Sequence, residues 1–421
     1  MELKDNSYSI HGCDLISLTE EFGSPLYVYD ADKIIQQVHQ LKKAFDGMNV
    51  KIKYAAKSLS NINILRLTRK AGTGLDAVSI QEATLGIMAG YDPLDILFTP
   101  NCVSIEEIKM AVDMGVRINI DNISILEQFG HEYGGKVPCC IRLNPHITAG
   151  GNSNIQTGHI DSKFGISVLQ LRHVHRIIEA NNMDVIGLHV HTGSDIVDSE
   201  IFLKGAAIVF DAAMEFKDLD FIDFGSGFKV GYKPDDVTTD VRDLGKKLGE
   251  AFQTFCKDYG KELEIWFEPG KYITSEAGYL LVKTNVIKQT PATMFVGVDS
   301  GLNHLLRPML YDAYHEMVNI SNPKGIVRVY TVVGYICETD TFGWNRKLNE
   351  VREGDIIAIK NAGAYGFSMS SNYNSRFRPA EVLIINGQPK LIRKRETLES
   401  LLANQVEIDI EALFETKVES N

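Results

Sequence analysis

The sequence predicts a (β/α)8 TIM barrel followed by an all-β domain, and three observations lead to this fold class. The chain has 421 residues, a length that suits two domains or one large barrel with an addition. Between about residues 50 and 270, short β-type runs alternate regularly with helical stretches. After about residue 280 the helical patterns become rare and β-type runs dominate. The change of pattern marks the change of domain.

The first half of the chain contains eight strand-like runs, each followed by a polar or Gly-containing loop. Helical stretches such as SIEEIKMAVDMG separate them, with apolar residues three and four positions apart. Eight strand–helix units is the number of a TIM barrel. An open doubly wound sheet is the alternative, but the count favours the barrel. The runs are KIKYAAK, GLDAVS, DILFTP, RINID, VPCCIRLNP, DVIGLHVHTGS, FIDFGSG and LEIWFEPG.

The second half contains β-type runs such as IVRVYTVVGYICETD and AEVLIINGQPKLIRK. The early run SPLYVYD either joins this domain or leads into the barrel. We expect a barrel over residues 33–285, a β domain built from 1–32 and 286–395, and a C-terminal tail over 396–421 whose charges form a solvated face.

Composition excludes several classes of protein. The net charge of −12 argues against nucleic-acid and anionic-membrane partners, which favour a basic face. No apolar run approaches the ~20 residues of a membrane span, and the polar N-terminus does not resemble a signal peptide, so a cytoplasmic location is expected. Six scattered cysteines, without a C-x-x-C pair, are expected to be free thiols, most of them buried.

The loops that follow barrel strands build the active site of a TIM barrel. Each such residue also has a simpler explanation: a lysine at a strand end is usually a surface charge, and a GSG sequence is often a plain turn. His189 and His191 share one strand face and could be a metal pair or two barrel histidines. The loop residues are Lys57, Asp76, Asn144, His191, Gly193, Ser194, Gly225-Ser226-Gly227 and Glu268-Pro269-Gly270-Lys271.

Taken together, these residues favour one cofactor. Glycine-rich turns free backbone N–H groups for a phosphate, and a desolvated lysine is suited to Schiff-base chemistry. A carboxylate can keep a pyridine nitrogen protonated, as an electron-sink cofactor requires. The combination predicts a pyridoxal 5'-phosphate site and no metal.

At this point the motifs resemble a known family. The sequence is similar to the fold type III pyridoxal phosphate-dependent decarboxylases, which have an alanine racemase/decarboxylase-like fold, and most similar to the diaminopimelate decarboxylase family. The resemblance extends from about residue 24 to 385. It rests on YAAKSLSN, SKFGI, HVHTGSDI, DFGSGF, EPGK, RPMLY, CETD and NAGAYGFSMSSNYNSR; the last two motifs are the most specific.

The resemblance implies a role for each cofactor-binding residue. Lys57 would carry the cofactor covalently, with Asp76 beside it, and His191 would stack on the pyridine ring. Glu268 would pair with the ring nitrogen. The phosphate would be bound by a larger set: Ser194, Gly225, Ser226, Gly227, Gly270 and the hydroxyl of Tyr365, with Lys271 beside them.

The resemblance also implies a homodimer with shared active sites. Cys337, the expected proton donor, and Glu338 would come from the β domain of the second subunit. A thiol suits this role, since its ordinary pKa of ~8.5 allows both forms near neutral pH. The far end of the substrate would be bound by Arg307, Tyr311 and Glu338, with Lys271 and Tyr365 nearby.

Two positions depart from the family pattern. Lys271 stands where the family usually has arginine, and a lysine cannot make the planar bidentate contact. Ser226 interrupts a turn that is commonly three glycines, although its backbone N–H remains available.

The expected reaction is decarboxylation of meso-2,6-diaminopimelate to L-lysine and CO2, the last step of lysine biosynthesis. Decarboxylation of another basic amino acid or of carboxynorspermidine is the first alternative. A metal-dependent barrel hydrolase using His189 and His191, and a cofactor-binding protein without catalysis, are the others.

Overall fold

The first domain is a closed barrel of eight parallel strands, seen in a computed structural model that describes residues 1–147, 158, 161–191 and 193–418. Thr192 of the HVHTGSDI motif and the last three residues of the predicted tail lie outside these ranges. The first strand pairs with Gly74–Ala77 on one side and with Glu264–Phe267 on the other, which closes the ring. The strands are Val50–Ala55, Gly74–Ala77, Ile96–Phe98, Arg117–Ile120, Cys139–Asn144, Val185–Val190, Phe221–Asp223 and Glu264–Phe267.

Helices alternate with these strands, as the sequence pattern predicted. The helix that follows Asp76 shows how its start is specified. The Ser79 side chain accepts a hydrogen bond from the Glu82 backbone, and a Glu82 carboxylate oxygen accepts one from the Val78 backbone at 2.9 Å. The helices are Ala31–Ala44, Ile62–Lys70, Ile80–Ala89, Ile105–Asp113, Ile123–Tyr133, Leu171–Asn181, Ser199–Ala213, Val241–Tyr259 and Lys271–Thr274.

The lower part of the barrel interior is filled by an aromatic stack. The rings of Phe221 and Trp266 lie 3.6 Å apart at 5°, and Leu97 and Cys140 pack against them. Gly187 makes room for the stack, because a Cβ at that position would overlap the Phe221 ring. Polar side chains occupy the barrel above this layer.

The second domain is a nine-stranded mixed sheet. The run predicted from SPLYVYD joins this sheet, pairing with Gly278–Gln289 and with Ala380–Ile385. The predicted boundary at residue 285 falls inside the strand Gly278–Gln289. The strands are Leu26–Asp30, Gly278–Gln289, Met294–Val298, Met317–Asn319, Val327–Val333, Thr341–Asn349, Ile356–Ile359, Ala380–Ile385 and Gln388–Arg393. Barrel plus β domain is therefore confirmed.

Smaller elements complete the chain. The N-terminus forms the strands Glu2–Lys4, Ser7–Ile10 and Cys13–Asp14, followed by the helix Leu15–Phe22. A two-residue strand, Ile166–Ser167, pairs with the barrel strand Cys139–Asn144. The helix Arg307–Tyr311 lies within the second domain, and the tail contains the helices Leu398–Leu402 and Ile410–Val418. None of the helices that the structure describes is long and apolar enough to span a membrane.

The six cysteines are free thiols, as expected. Burial was predicted for most of them, with Cys337 set apart as the expected proton donor, and that was wrong for two. Cys102 is exposed and Cys13 is half-buried, because both lie outside the barrel core; Cys337 is exposed as well.

Candidate active site

Most of the predicted site residues border one cavity of about 400 Å³ at the carboxyl ends of the barrel strands. In this fold class the active site lies at the carboxyl ends of the strands. Residues from strands far apart in the sequence meet there because the ring is closed. The predicted residues that line the cavity are Lys57, His191, Ser194, Ser226, Gly227, Glu268, Gly270, Lys271 and Tyr365.

Lys57 lies just past the first barrel strand, in a single 3-10 turn over Ala56–Ser58. Its Nζ donates to Asp76 Oδ2 at 2.8 Å, and Asp76 is completely buried. Burial alone lowers the pKa of Lys57, but the Asp76 carboxylate outweighs burial and raises it above its ordinary value. Lys57 is therefore a charged amine held in one place by a buried carboxylate.

A glycine turn forms one wall of the cavity. Gly225 and Gly227 have φ values of +61° and +127°, which residues with a side chain rarely adopt. A Cβ on Gly225 would come within 2.6 Å of the His191 ring, and one on Gly227 within 2.6 Å of a backbone carbonyl. A hydrogen bond to the preceding strand fixes the turn, because the Gly225 N–H donates to Asp223 Oδ1 at 2.8 Å.

His191 is an acceptor rather than a cation. Its Nδ1 accepts a hydrogen bond from the Ser226 backbone N–H at 3.2 Å. Burial, together with the positive charges of Arg142 and Lys57, lowers the pKa of His191 to about 3. A neutral, flat imidazole therefore faces the cavity.

Glu268 lines the same cavity as Lys57, at the end of the neighbouring strand, and is almost fully buried. Burial acts to raise the pKa of Glu268, but contact with His189 and the charge of Lys57 lower it to about 2. Its Oε2 accepts a hydrogen bond from His189 Nε2 at 3.0 Å. The other oxygen, Oε1, is buried and has no hydrogen-bond partner among the described residues. A buried carboxylate oxygen of this kind calls for a donor from a ligand.

These features fit pyridoxal phosphate. The turn lies beside Ser194 in the cavity wall, where the Ser194 hydroxyl and the Gly227 N–H are donors for a phosphate, whereas the Gly225 and Ser226 N–H groups bond to Asp223 and His191. Gly270 lies so close to Ser58 that a Cβ would approach its side chain to 2.9 Å, which brings this loop beside Lys57. One cavity therefore holds three suitable groups. A neutral imidazole can pack on the cofactor ring, and a carboxylate oxygen without a partner among the described residues can accept the pyridine N–H. A lysine can bind the aldehyde.

A wider cavity of about 750 Å³ adjoins the first and shares Lys57, His191, Lys271 and Tyr365 with it. Arg307 and Tyr311 line it, as predicted for the far end of the substrate. The Arg307 guanidinium is buried between two rings, 5.2 Å from the Tyr232 centroid and 5.8 Å from that of Tyr311. Its Nε has no hydrogen-bond partner among the described residues. An anionic group fits beside it.

Cys337 and Glu338 do not join these residues within one chain. Both are exposed and neither borders the two cavities that hold Lys57 and Arg307. The Cys337 thiol lies 3.3 Å from Asn374 Oδ1, and Glu338 accepts a hydrogen bond from the Tyr373 hydroxyl. The two residues lie together on the surface of the β domain.

Lys271, which departs from the family pattern, has a partner that the sequence did not suggest. Its Nζ forms an ion pair with Asp195 Oδ1 at 2.7 Å, with the lysine side chain 12% exposed. Both residues line the wider cavity. The Asp195 carboxylate therefore balances the charge of Lys271 at the wall of the wider cavity.

Sequence reasoning missed several residues that line the smaller cavity, among them Arg142 and Phe164. Arg142 is two positions before Asn144 on one strand, so the period of two could have found it. Its guanidinium lies 4.7 Å from the Phe164 ring. Phe164 belongs to the SKFGI motif but was given no role.

The sequence left two interpretations of His189 open, as half of a metal pair with His191 or as one of two barrel histidines. The structure instead groups His189 with Asp223 and Glu268, whose potential ligand atoms all lie within 4.8 Å of one another. The hydrogen bond to Glu268 already occupies the His189 Nε2 atom. His191 faces the glycine turn, so the two histidines serve different neighbours.

Comparison with known proteins agrees with this geometry. A family model described as the pyridoxal binding domain of pyridoxal-dependent decarboxylases matches residues 31–275. The diaminopimelate decarboxylase of Methanothermobacter thermautotrophicus is 38% identical over 96% of this chain and 97% of the relative. That of Escherichia coli is 34% identical over 93% and 96%.

A solved structure is also similar. The diaminopimelate decarboxylase of Methanocaldococcus jannaschii, crystallised with L-lysine, superposes with a TM-score of 0.90 at 33% identity. The match covers 97% of this chain and 98% of that one. The resemblance inferred from the motifs is confirmed.

Proposed function

This chain belongs to the diaminopimelate decarboxylase family of pyridoxal phosphate-dependent enzymes, and from that premise we propose how its own residues decarboxylate meso-2,6-diaminopimelate to L-lysine in lysine biosynthesis. The observation that carries the proposal is the pair of joined cavities. One holds Lys57 and the unpartnered Glu268 oxygen, and the other holds the buried Arg307. The first cavity fits the cofactor, and the second fits a substrate that carries a second amino-acid group.

Bound pyridoxal phosphate supplies an electron sink for the charge that departing CO2 leaves behind. Lys57 would hold the cofactor covalently, and His191 would pack against its ring. Glu268 would accept the ring N–H and keep the nitrogen protonated. The phosphate would be bound by a further set of residues: Ser194, Gly225, Ser226, Gly227, Gly270 and Tyr365.

Arg307 and Tyr311 bind the distal end of the substrate. A guanidinium can make two parallel hydrogen bonds to a carboxylate, which contributes both affinity and geometric selection. Lys271 and Tyr365 line both cavities and so contact the substrate between its two ends. The ion pair with Asp195 limits how strongly Lys271 attracts a carboxylate.

The site is completed by a second subunit. Cys337 and Glu338 are exposed on the β domain, away from the cavities of their own chain. In a homodimer, the partner's Cys337 would reach the carbon that loses CO2 and donate its proton there. The partner's Glu338 would accept a hydrogen bond from the distal ammonium group.

A mixing experiment tests the shared site. K57A and C337A chains, each without turnover or nearly so, are refolded together in equal amounts. Since half of the dimers are then mixed and each mixed dimer holds one complete site, about a quarter of wild-type turnover should return. If mixing restores nothing, both residues act within one chain and the shared site is wrong.

We place the reaction in the cytoplasm, as the sequence predicts. The six unpaired thiols support this location, because free cysteines persist in reducing compartments.

The direct test is product release. Purified protein is given pyridoxal phosphate and meso-diaminopimelate, with ornithine, arginine and carboxynorspermidine in parallel reactions. Lysine formed from diaminopimelate alone supports the proposal. Turnover of another amine would favour the alternative substrates, and a yellow but inactive protein would contradict the assignment of catalysis.

A further inference from the structure

A buried histidine lies directly behind the carboxylate that faces the cofactor ring. His189 is on the strand Val185–Val190 and is completely buried. It donates through Nε2 to Glu268 Oε2 at 3.0 Å. This hydrogen bond fixes the Oε2 atom of Glu268, which leaves Oε1 as the oxygen that can accept a hydrogen bond from a ligand.

A second acid lies beside this histidine, on the neighbouring strand. Asp223 is opposite His189 in the parallel ladder of neighbouring strands, and it is also completely buried. Asp223 Oδ1 accepts from the Gly225 N–H of the glycine turn. Asp223 Oδ2 and His189 Nδ1 are both buried with no hydrogen-bond partner among the described residues.

The potential ligand atoms of His189, Asp223 and Glu268 lie within 4.8 Å of one another. Burial and the nearby Glu268 charge raise the pKa of Asp223 well above its ordinary range, which favours the protonated form of Asp223. The His189 Nε2–H then supports the Glu268 charge rather than that of Asp223.

We infer that His189 is a positioning residue that keeps Glu268 ionised and aims its Oε1 atom at the cofactor ring nitrogen. The inference rests on the proposed function, because it gives the purpose of Glu268 in that site. Without a donor behind it, a carboxylate buried among other acids takes up a proton more readily. A protonated Glu268 no longer holds the ring nitrogen in its protonated form.

Other charged groups face Glu268 from every side of the barrel, and they oppose one another. Asp76 and Asp223 disfavour the Glu268 charge, whereas the cations favour it. Lys57 is one of these cations, but in the proposed site its nitrogen would be bonded to the cofactor. His189 therefore provides the interaction that stays constant. The titratable groups that influence this cluster are Lys57, Asp76, Arg142, His189, His191 and Asp223.

Two substitutions of His189, by glutamine and by asparagine, separate a positioning role from a packing role. The amide nitrogen of glutamine can occupy the place of Nε2 and donate to Glu268, whereas the shorter asparagine cannot reach it. Both are uncharged amides, but asparagine leaves the larger gap in the core, so the control must leave a similar gap elsewhere. The control is His304→Asn, which replaces another completely buried histidine that contacts Ser300 and the Phe377 carbonyl in the second domain.

Two readouts other than turnover are measured: the dissociation constant of pyridoxal phosphate and the pH dependence of its visible absorption when bound. A hydrogen bond to a charged group contributes ~1.5–3 kcal/mol. His189→Asn should therefore weaken cofactor binding about 10- to 100-fold. Its bound-cofactor absorption should also titrate as the pH falls below neutral. His189→Gln should stay within about 3-fold of wild type and show no such titration, as should the His304 control.

The outcomes are distinct. Equal cofactor binding and flat absorption profiles in the asparagine and glutamine variants would overturn the inference, as would equal weakening in both. An equimolar divalent metal ion in purified wild-type protein, absent from His189→Asn, would show that the cluster is a metal site instead. Wild-type protein that binds no pyridoxal phosphate would contradict the proposed function itself.

Discussion

Replacing Asp76 by asparagine should lower the pKa of Lys57 and make cofactor attachment faster at neutral pH. Asp76 Oδ2 lies 2.8 Å from Lys57 Nζ, with the carboxylate fully buried and the lysine side chain 40% exposed. At that distance and an effective dielectric constant of about 20, the attraction is about 6 kcal/mol. The exposed part of the lysine is screened, so a charged hydrogen bond of ~1.5–3 kcal/mol is the better guide.

This energy converts into a change in pKa of about 1 to 2. Only the neutral amine of Lys57 reacts with the cofactor aldehyde. Since Asp76 raises the pKa of Lys57, attachment in the wild type should accelerate as the pH rises. The asparagine variant should show the same profile displaced to lower pH, with attachment about 10- to 100-fold faster at neutral pH.

The assay follows the visible absorption of lysine-bound cofactor after mixing with saturating pyridoxal phosphate over a series of pH values. Asp95→Asn is the matched control. It removes an acid 3.9 Å from Lys53, at the opposite end of the same barrel strand, and should leave the profile unchanged. A profile for Asp76→Asn that does not move, or that moves to higher pH, would refute the electrostatic account of Lys57.

Three further predictions concern single residues of the site. Lys57→Ala should abolish turnover and covalent cofactor attachment, which borohydride reduction followed by mass measurement checks; reduced cofactor on another lysine would contradict its role. Cys337→Ala should slow turnover strongly while the dissociation constant of the cofactor stays unchanged, and near-normal turnover would remove this thiol from the mechanism. Arg307→Leu should raise the KM for diaminopimelate about 10- to 100-fold, since a charge-assisted contact is lost; an unchanged KM would place the distal carboxylate elsewhere.

The barrel could be predicted because its signals are local. Each strand-like run and each helical stretch is visible within about ten residues, and eight repeats leave few architectures. The residues at strand ends followed from the fold class alone, which is why Lys57, His191 and Glu268 were found. The resemblance of motifs such as CETD then added Cys337 and Glu338.

Contacts between distant strands could not be predicted in the same way. The hydrogen bond between His189 and Glu268 joins residues 79 positions apart, and the ion pair between Lys271 and Asp195 joins residues 76 apart. Which side chains meet across a barrel depends on strand register and on tilt, and the sequence pattern specifies neither. Asp223 was missed for this reason, although it is the first residue of the DFGSGF motif.

The register of the barrel strands brings three buried carboxylates together in the middle of the barrel. Their different pKa values explain why the site needs this register. Burial and the charge of Glu268 raise the pKa values of Asp76 and Asp223, whereas His189 and Lys57 lower that of Glu268 despite its burial. Like charges this close in a poorly solvated interior cannot all ionise without a large cost in stability. Divergent pKa values among neighbouring acids usually indicate different chemical tasks. Here the lowered pKa belongs to Glu268, the one acid of the three that lines the smaller cavity. Asp76 is paired with Lys57 and Asp223 lies beside His189, so Glu268 keeps its charge where we propose that the ring nitrogen finds its acceptor.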